Sequence, residues 1–304
     1  MNQEFLYVIA IIMLGYLLKR FNILEEKDGQ IISKIIFKIT FPALIFVTFN
    51  TVKIEASLIY IPIIIFIYGL VATFIALWVF KNKEKEIKGS FMMISSGFNV
   101  GLFAFPLVFA IWGMNGLTHF SMFDVGNSMI TLGIAYILGS YFSKEGLSLK
   151  PVEIFKKLGQ SIPLMAYVVA SILNLTQIKL PIFIIEVAEI ISAANIPLSL
   201  LLLGIFLNFR FDKQFMKPML KYLTFRYALG LLFGVILFFV LPFDEMYRYT
   251  LLIGLLLPIA SSAITYAVEF KYSMDSIRLI ATTSNITVLV SMVILYVFAN
   301  FIPH

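Results

Sequence analysis

The sequence predicts an all-α integral membrane protein with ten transmembrane helices, arranged as two inverted repeats of five helices each. Three observations predict this fold. Hydrophobic residues make up 61% of the 304 residues and charged residues only 13%, whereas soluble domains carry about 25% charged residues. Apolar stretches of about 20 residues, the length that crosses a bilayer, recur along the chain. Two of these stretches are interrupted, and they occupy matching positions in the two halves.

Short polar segments separate the apolar stretches and leave no room for a large soluble domain. The first stretch has no basic segment before it and no small-residue cleavage site after it, so we expect it to be a span and not a signal peptide. The predicted spans are 4–20, 29–50, 57–80, 90–112, 118–142, 159–175, 182–207, 219–241, 247–269 and 276–301.

The basic residues predict an orientation. Of the 23 Lys and Arg residues, 20 fall on the side that holds the segments after spans 1, 3, 5, 7 and 9. The opposite side keeps Lys53, Lys179 and Arg248. Basic residues concentrate on the cytoplasmic side of membrane proteins. We therefore expect a multi-pass protein of the cell membrane with both termini, including His304, outside the cytoplasm.

A polar segment divides the chain into two halves. We predict that 1–142 is the first five-helix repeat, 143–158 a cytoplasmic linker, and 159–304 the second repeat. An odd number of spans in each half gives the halves opposite orientations, which defines an inverted repeat. A weak internal echo agrees, since Asn127 in span 5 and Asn285 in span 10 are 158 positions apart.

Spans 4 and 9 are the interrupted stretches, broken near Asn99 and Pro258. Proline lacks an N–H and leaves a carbonyl four residues earlier without a partner. Irregular backbone at membrane depth is tolerated only beside a cavity or packed protein, and mirrored interruptions point to a transporter binding site. We expect the two broken helices to cross there, with a second break in span 4 at Pro106. The predicted substrate-binding residues are Asn99, Gly101, Pro106, Pro258, Ser261, Ser262 and Thr265.

The charges around these interruptions favour an anionic substrate. Neither 92–110 nor 251–268 contains an Asp, Glu, Lys or Arg residue. The N-terminus of a helix carries a partial positive charge and binds anions. A neutral, amide-rich crossing of half-helix ends therefore suits a carboxylate. The alternative is that Asn, Gly and Pro only kink two helices.

A few charged residues lie within the predicted spans. Asp124 in span 5 is a functional hypothesis by default. It could load a proton and couple transport, with Asn127 and Asn285 nearby in the two repeats, or it could be a structural carboxylate. A cation- or proton-coupled antiporter requires Asp124 or Glu189 to reach the crossing. Arg226 in span 8 could steer an anion or extend to lipid phosphates.

Other classes of function have little support in the sequence. The chain has no cysteine, which excludes disulfides and thiolate metal sites. The two histidines, His119 and His304, are isolated, so we expect no metal site. No set of acid, base and nucleophile suggests an enzyme, and no cofactor is expected. We attribute the net charge of +6 to cytoplasmic loops and expect no nucleic-acid partner. The expected partners are a small organic anion and the lipid bilayer.

One motif resembles a known family. Residues 99–107, with Asn99 followed seven positions later by Pro106, are similar to the fourth-span signature of the auxin efflux carrier family. That family includes bacterial malate- and malonate-permease-type proteins and the plant PIN and PIN-like carriers. Ala104 stands where the family usually has Gly, and span 3 lacks the acidic and basic residues of some plant members. Further matches along the chain are Phe41, Pro42, Asp124, Asn127, Asn195, Pro197, Gly204, Arg226, Pro258, Ala260, Ala267, Thr282 and Thr283.

The resemblance implies a scaffold domain from spans 1, 2, 6 and 7 and a transport domain from spans 3–5 and 8–10. It implies that Asn99 binds a substrate carboxylate, that Pro106 and Pro258 belong to the crossing, and that a homodimer could form through the scaffold. We expect a secondary carrier of a small organic anion that works by alternating access. A dicarboxylate such as malate or malonate, and an indole-type weak acid, both remain open. The alternatives are a sensor or interaction protein on the same fold, or a cation- or proton-coupled antiporter.

Overall fold

The computed structural model describes residues 3–51, 55–144, 151–208 and 215–301. The predicted terminal residue His304 and the linker residues 145–150 lie outside the described residues. The described part is almost entirely helical and holds no β-strand. Its helices are α1 Gln3–Arg20, α2 Glu26–Ile35, α3 Phe41–Thr51, α4 Tyr60–Val79, α5 Lys85–Ser95, α6 Phe105–Met129, α7 Tyr136–Tyr141, α8 Pro151–Gln160, α9 Ile162–Leu175, α10 Ile182–Ala193, α11 Asn195–Phe206, α12 Met216–Val240, α13 Glu245–Gly254, α14 Ser262–Glu269 and α15 Met274–Phe301.

Six helical runs in the described residues are long and apolar enough to cross a membrane: Glu26–Asn50, Ser57–Val79, Val100–Tyr141, Ile182–Phe206, Met216–Val240 and Met274–Phe298. The bent pair Val152–Gln160 and Ile162–Leu175, which meet at 76°, would make a seventh. The 42-residue run Val100–Tyr141 has the length of two spans and turns at Gly113, whose φ of 58° favours glycine. The ten-span count and the inverted repeat stay predictions, because α1 and the two broken segments fall short of this length and composition.

Three π-helical stretches adjoin α-helices: Ile36–Thr40 between α2 and α3, Val100–Ala104 at the start of the run into α6, and Ile130–Ala135 between α6 and α7. The first two are each followed by a Phe-Pro pair, Phe41-Pro42 and Phe105-Pro106. A proline ring clashes with the carbonyl four residues earlier, and the wider turn relieves that clash. The expected second break of span 4 at Pro106 is therefore wrong, because the helix continues from the π-helical stretch through Pro106 into α6.

The helices pack in two groups. The first helix group consists of α1–α3 and α9–α11, and the second helix group of α4–α7 and α12–α15. In the first helix group, α1 and α11 approach so closely at Gly15 and Gly204 that a Cβ on either glycine would collide with a backbone carbonyl of the other helix. Small residues permit such close backbone contact between membrane helices.

The predicted linker 143–158 is partly helical. Helix α8 covers its second part and continues to Gln160 before the chain bends into α9. Val152 and Phe155 of α8 are both 73% exposed, and Lys156 is exposed beside them. Apolar and basic side chains on one short exposed helix are typical of a helix that lies at a membrane surface.

The predicted orientation can be tested by single-cysteine labelling, because the chain contains no cysteine. Lys83 and Lys179 are both exposed, and three predicted spans separate them. We expect a membrane-impermeant maleimide to label Lys179→Cys in intact cells and Lys83→Cys only after permeabilisation. The cysteine-free parent is the control. Labelling of both positions from the same side would contradict the predicted spans 4–6.

Candidate functional site

The two interrupted segments meet in the middle of the protein. Phe98 and Ile259 form an isolated antiparallel β-bridge, and the Asn99 N–H donates to the Pro258 carbonyl at 2.9 Å. Each break thus leaves a short extended segment, and the two segments supply hydrogen-bond partners to each other. Buried backbone groups need such partners because water is not there to replace them.

Asn127 braces the first break from helix α6. Its Oδ1 accepts from the Phe98 N–H at 2.8 Å and its Nδ2 donates to the Phe98 carbonyl at 3.0 Å. At the second break, the Ile259 N–H donates to Thr287 Oγ1 at 3.3 Å. Thr287 of α15 therefore bonds to the backbone of the second break, as Asn127 does at the first break, but with one hydrogen bond in place of two. Asn285, the predicted counterpart of Asn127, instead accepts from the Asn208 N–H at 3.2 Å.

Arg226 of α12 binds the carbonyl ends of both breaks. Its guanidinium donates to the carbonyls of Ile94 at 3.1 Å, Gly97 at 3.2 Å and Leu257 at 2.8 Å. The Tyr222 hydroxyl also donates to the Ile94 carbonyl, at 2.7 Å. Arg226 is only 3% exposed, so its side chain does not extend to lipid phosphates. It replaces helical hydrogen bonds that the two breaks remove.

A cavity of about 250 Å³ lies beside this crossing, between the two helix groups. The first helix group and the residues adjoining it contribute four of the lining residues, and the second helix group and the crossing contribute the others. The cavity is lined by Phe37, Phe41, Ser161 and Pro163, and by Phe98, Asn99, Val100, Gly101, Asp124, Asn127, Ser128, Thr131, Leu132, Ala260, Ser261 and Ser262.

Most of the residues that the sequence singled out are brought together at this cavity. Those that line it are Asn99, Gly101, Asp124, Asn127, Ser261 and Ser262. Four others do not: Pro258 lies in the crossing itself, Pro106 in the first turn of α6, Thr265 on the exposed side of α14, and Asn285 in α15. The role of each residue in binding stays a prediction.

Asn99 places a buried amide side chain at the cavity. It is 7% exposed, its backbone N–H is used in the crossing, and its amide side chain makes no hydrogen bond with the part of the chain that the structure describes. A buried amide normally has hydrogen-bond partners. A ligand or water in the cavity would supply them.

Asp124 connects the two helix groups. It is 6% exposed, its Oδ1 accepts from Asn127 Nδ2 at 2.8 Å, and its Oδ2 accepts from the Tyr167 hydroxyl at 3.1 Å. Tyr167 belongs to α9 and contacts Phe41 edge to face, with ring centroids 6.1 Å apart. No Lys or Arg pairs with Asp124 among the described residues. The carboxyl group therefore lies at the cavity with neutral donors only.

Sequence reasoning did not identify Tyr167, Phe37 or the bonding role of Arg226. No local pattern marks Tyr167, because its partner Asp124 is 43 positions away. A signal did exist for the π-helical stretches, since two of them precede a Phe-Pro pair, and each of the three contributes residues to the cavity wall. Such stretches occur frequently at functional sites.

Comparison with known proteins identifies the family. A model of the family described as "Membrane transport protein" matches residues 3–162, just over half of the chain. The chain belongs to this family. It is the auxin efflux carrier family, so the resemblance of 99–107 is confirmed. An uncharacterized transporter of Methanothermobacter thermautotrophicus is 25% identical over 296 residues, 96% of either chain. An uncharacterized transporter of Methanocaldococcus jannaschii is 27% identical over 214 residues, 67% of this chain and 68% of its own.

The role of Asn127 in bracing the crossing can be tested by Asn127→Ala. The change leaves the buried N–H and carbonyl of Phe98 without partners, and each such group costs about 1–3 kcal/mol. We expect a clear fall in the Tm of the purified protein, measured by intrinsic fluorescence in detergent. Asn285→Ala is the matched control, because Asn285 does not bond to the crossing. Equal Tm values for the two variants would contradict the bracing role.

Proposed function

We propose that this membrane transport protein is a secondary carrier of a small organic anion, built on ten spans in two inverted repeats. The substrate binds at the crossing of the two broken segments. The observation that supports this most is the buried, unbonded Asn99 amide at a cavity beside the crossing. An amide N–H₂ is a suitable donor to a carboxylate oxygen.

The helix ends at the cavity favour an anion. The helix that starts at Val100 and the helix that starts at Ser262 both have first-turn residues in the cavity wall. Helix N-termini carry unpaired N–H groups and a partial positive charge. The opposite, carbonyl ends of the broken segments are bonded to Arg226. Asp124 is the one carboxylate in the wall, and both its oxygens already accept hydrogen bonds from the protein.

The size of the cavity favours a small substrate. Pockets for drug-sized ligands measure about 300–1,000 Å³, and this one measures about 250 Å³. Malonate, malate and an indole-type weak acid are all smaller than such ligands, so the volume is compatible with each of them.

The two helix groups supply a basis for alternating access. We propose that the first helix group is the scaffold and the second helix group the transport domain, because each group packs mainly within itself and the cavity lies between them. In the predicted orientation, Phe37 and Ser161 lie on the cytoplasmic side of the crossing. Tyr167, which bonds to Asp124 and contacts Phe41, lies on the outer side. We infer that this arrangement is inward-facing.

Binding and transport separate this proposal from a sensor on the same fold. Purified protein is screened by thermal shift against malonate, malate and indole-3-acetate, at two pH values and with or without sodium. Uptake of each ligand that binds is then measured in proteoliposomes. Binding followed by uptake supports a carrier, whereas binding without uptake under any ion gradient would favour the sensor.

Asn99→Ala tests the binding site. Hydrogen bonds to charged groups contribute about 1.5–3 kcal/mol, and each 1.4 kcal/mol is about tenfold in affinity. We therefore expect the Kd for malonate to rise about 10- to 100-fold, with an unchanged Tm in the absence of ligand. Thr265→Ala is the control, since Thr265 lies outside the cavity wall. Wild-type affinity in Asn99→Ala would exclude Asn99 as a ligand.

Asp124 favours a second component of the mechanism, coupling to protons. Its carboxyl group faces the cavity without a basic partner among the described residues, so it could exchange a proton when the cavity changes sides. We expect Asp124→Asn to retain exchange of malonate between the two sides but to lose the stimulation of uptake by an acidic exterior. Tyr167→Phe, which keeps the carboxyl group, is expected to retain that stimulation. An unchanged pH profile in Asp124→Asn would exclude proton loading at this residue.

A further inference from the structure

We propose that Arg226 sets the preference of the crossing for anions, as a positioning residue behind the cavity wall and not as a ligand. This inference rests on the proposed function. Arg226 does not line the cavity, and the three carbonyls that it binds belong to the protein.

The first argument is the position of these three carbonyls. Those of Ile94 and Gly97 lie at the end of α5 and just beyond it, and that of Leu257 follows α13. Arg226 therefore bonds to the C-terminal ends of both broken segments at once. A rigid, planar group with several N–H donors can do this, whereas a lysine offers one point of charge.

The second argument is the balance of charge at the crossing. Four half-helix ends meet there, two C-termini and two N-termini. Each end carries about half an elementary charge, negative at a C-terminus and positive at an N-terminus, so the four ends together nearly cancel. Arg226 adds one positive charge at the two C-terminal ends and offsets them. The positive N-terminal ends beside Val100 and Ser262 are then unopposed at the cavity wall.

The third argument is the absence of a neutralising partner for Arg226. Within the described residues no carboxylate forms an ion pair with it, although it is almost fully buried. A buried charge without a partner is costly, and here helix-end carbonyls are its compensation.

The fourth argument is distance. The guanidinium carbon lies 4.7 Å from the centroid of the Phe98 ring, and Phe98 lines the cavity. Phe98 thus contacts the guanidinium and also forms part of the cavity wall, so the charge lies close behind that wall. In such a low-dielectric setting the charge acts on an anion across that distance. Arg226 therefore selects by charge without contact, while Asn99 supplies the direct hydrogen bond.

The test compares Arg226→Gln, which removes the charge but keeps two N–H donors, with Arg226→Lys, which keeps the charge. The Kd values of malonate and of its neutral analogue malonamide are measured by calorimetry on the purified full-length protein, together with the Tm without ligand. Tyr222→Phe is the matched control, because it removes a hydroxyl that donates to the Ile94 carbonyl and accepts from Arg226 Nη1 and leaves the charge unchanged.

We expect wild type, Arg226→Lys and Tyr222→Phe to prefer malonate over malonamide. Arg226→Gln is expected to lose that preference, with a Kd for malonate that rises on the order of tenfold and little change for malonamide. A merely structural role would change both ligands together, in step with the Tm. An unchanged preference in Arg226→Gln would overturn the inference.

A variant that fails to fold and a failure of the proposed function can both be distinguished from an unchanged preference. If Arg226→Gln does not fold, the inference is tested with Arg226→Lys. A folded Arg226→Lys protein that shows no preference for malonate overturns the inference. If the wild-type protein binds none of malonate, malate or indole-3-acetate, the proposed function fails, and with it the inference that rests on it.

Discussion

The structure depends on how the free backbone groups of two broken helices are bonded in the middle of the protein. Irregular backbone at membrane depth persists only where protein or water supplies its partners. Here Arg226 bonds to carbonyls of both breaks, Asn127 bonds to both backbone groups of Phe98, and the Phe98–Ile259 bridge joins the two segments. Because these bonds use the backbone and leave the Asn99 side chain free, the crossing can be both stable and open to a ligand.

The two breaks meet at the crossing but differ in chemistry. An amide, Asn127, pairs with both groups of Phe98, whereas a hydroxyl, Thr287, pairs with one group of Ile259. A single arginine, from the second half of the chain, binds carbonyls from both breaks. The carboxyl group of Asp124 accompanies the first break only. Under the proposed function, the charge of Arg226 would favour an anion and the carboxyl group of Asp124 would couple its transport to protons.

Sequence reasoning predicted the elements that follow from local chemistry. Apolar length located the helices, and the combination of Asn99, Gly101 and Pro258 located the breaks. It was wrong at Pro106, because a proline also fits the first turn of a helix after a widened turn. It could not place Arg226, since a long basic side chain in a span reaches either lipid phosphates or buried carbonyls, and only the tertiary structure decides. Whether Thr287 or Asn285 bonds to the second break likewise depends on which face of α15 packs against the crossing. Residues two positions apart on a helix lie on different faces.

The distribution of hydrogen bonds also suits a boundary that moves. The bonds that hold the crossing lie within the second helix group and involve a charged donor, a side-chain amide and backbone groups. Bonds across the boundary include one from Tyr167 to Asp124 and one from the Asn208 N–H to Asn285. A hydrogen bond to a charged group contributes about 1.5–3 kcal/mol, and protonation of the Asp124 carboxylate would weaken its bond with Tyr167. Under the proposed mechanism, the site would therefore move as one unit, and the bond between Tyr167 and Asp124 would be among those that break when the cavity opens to the outside.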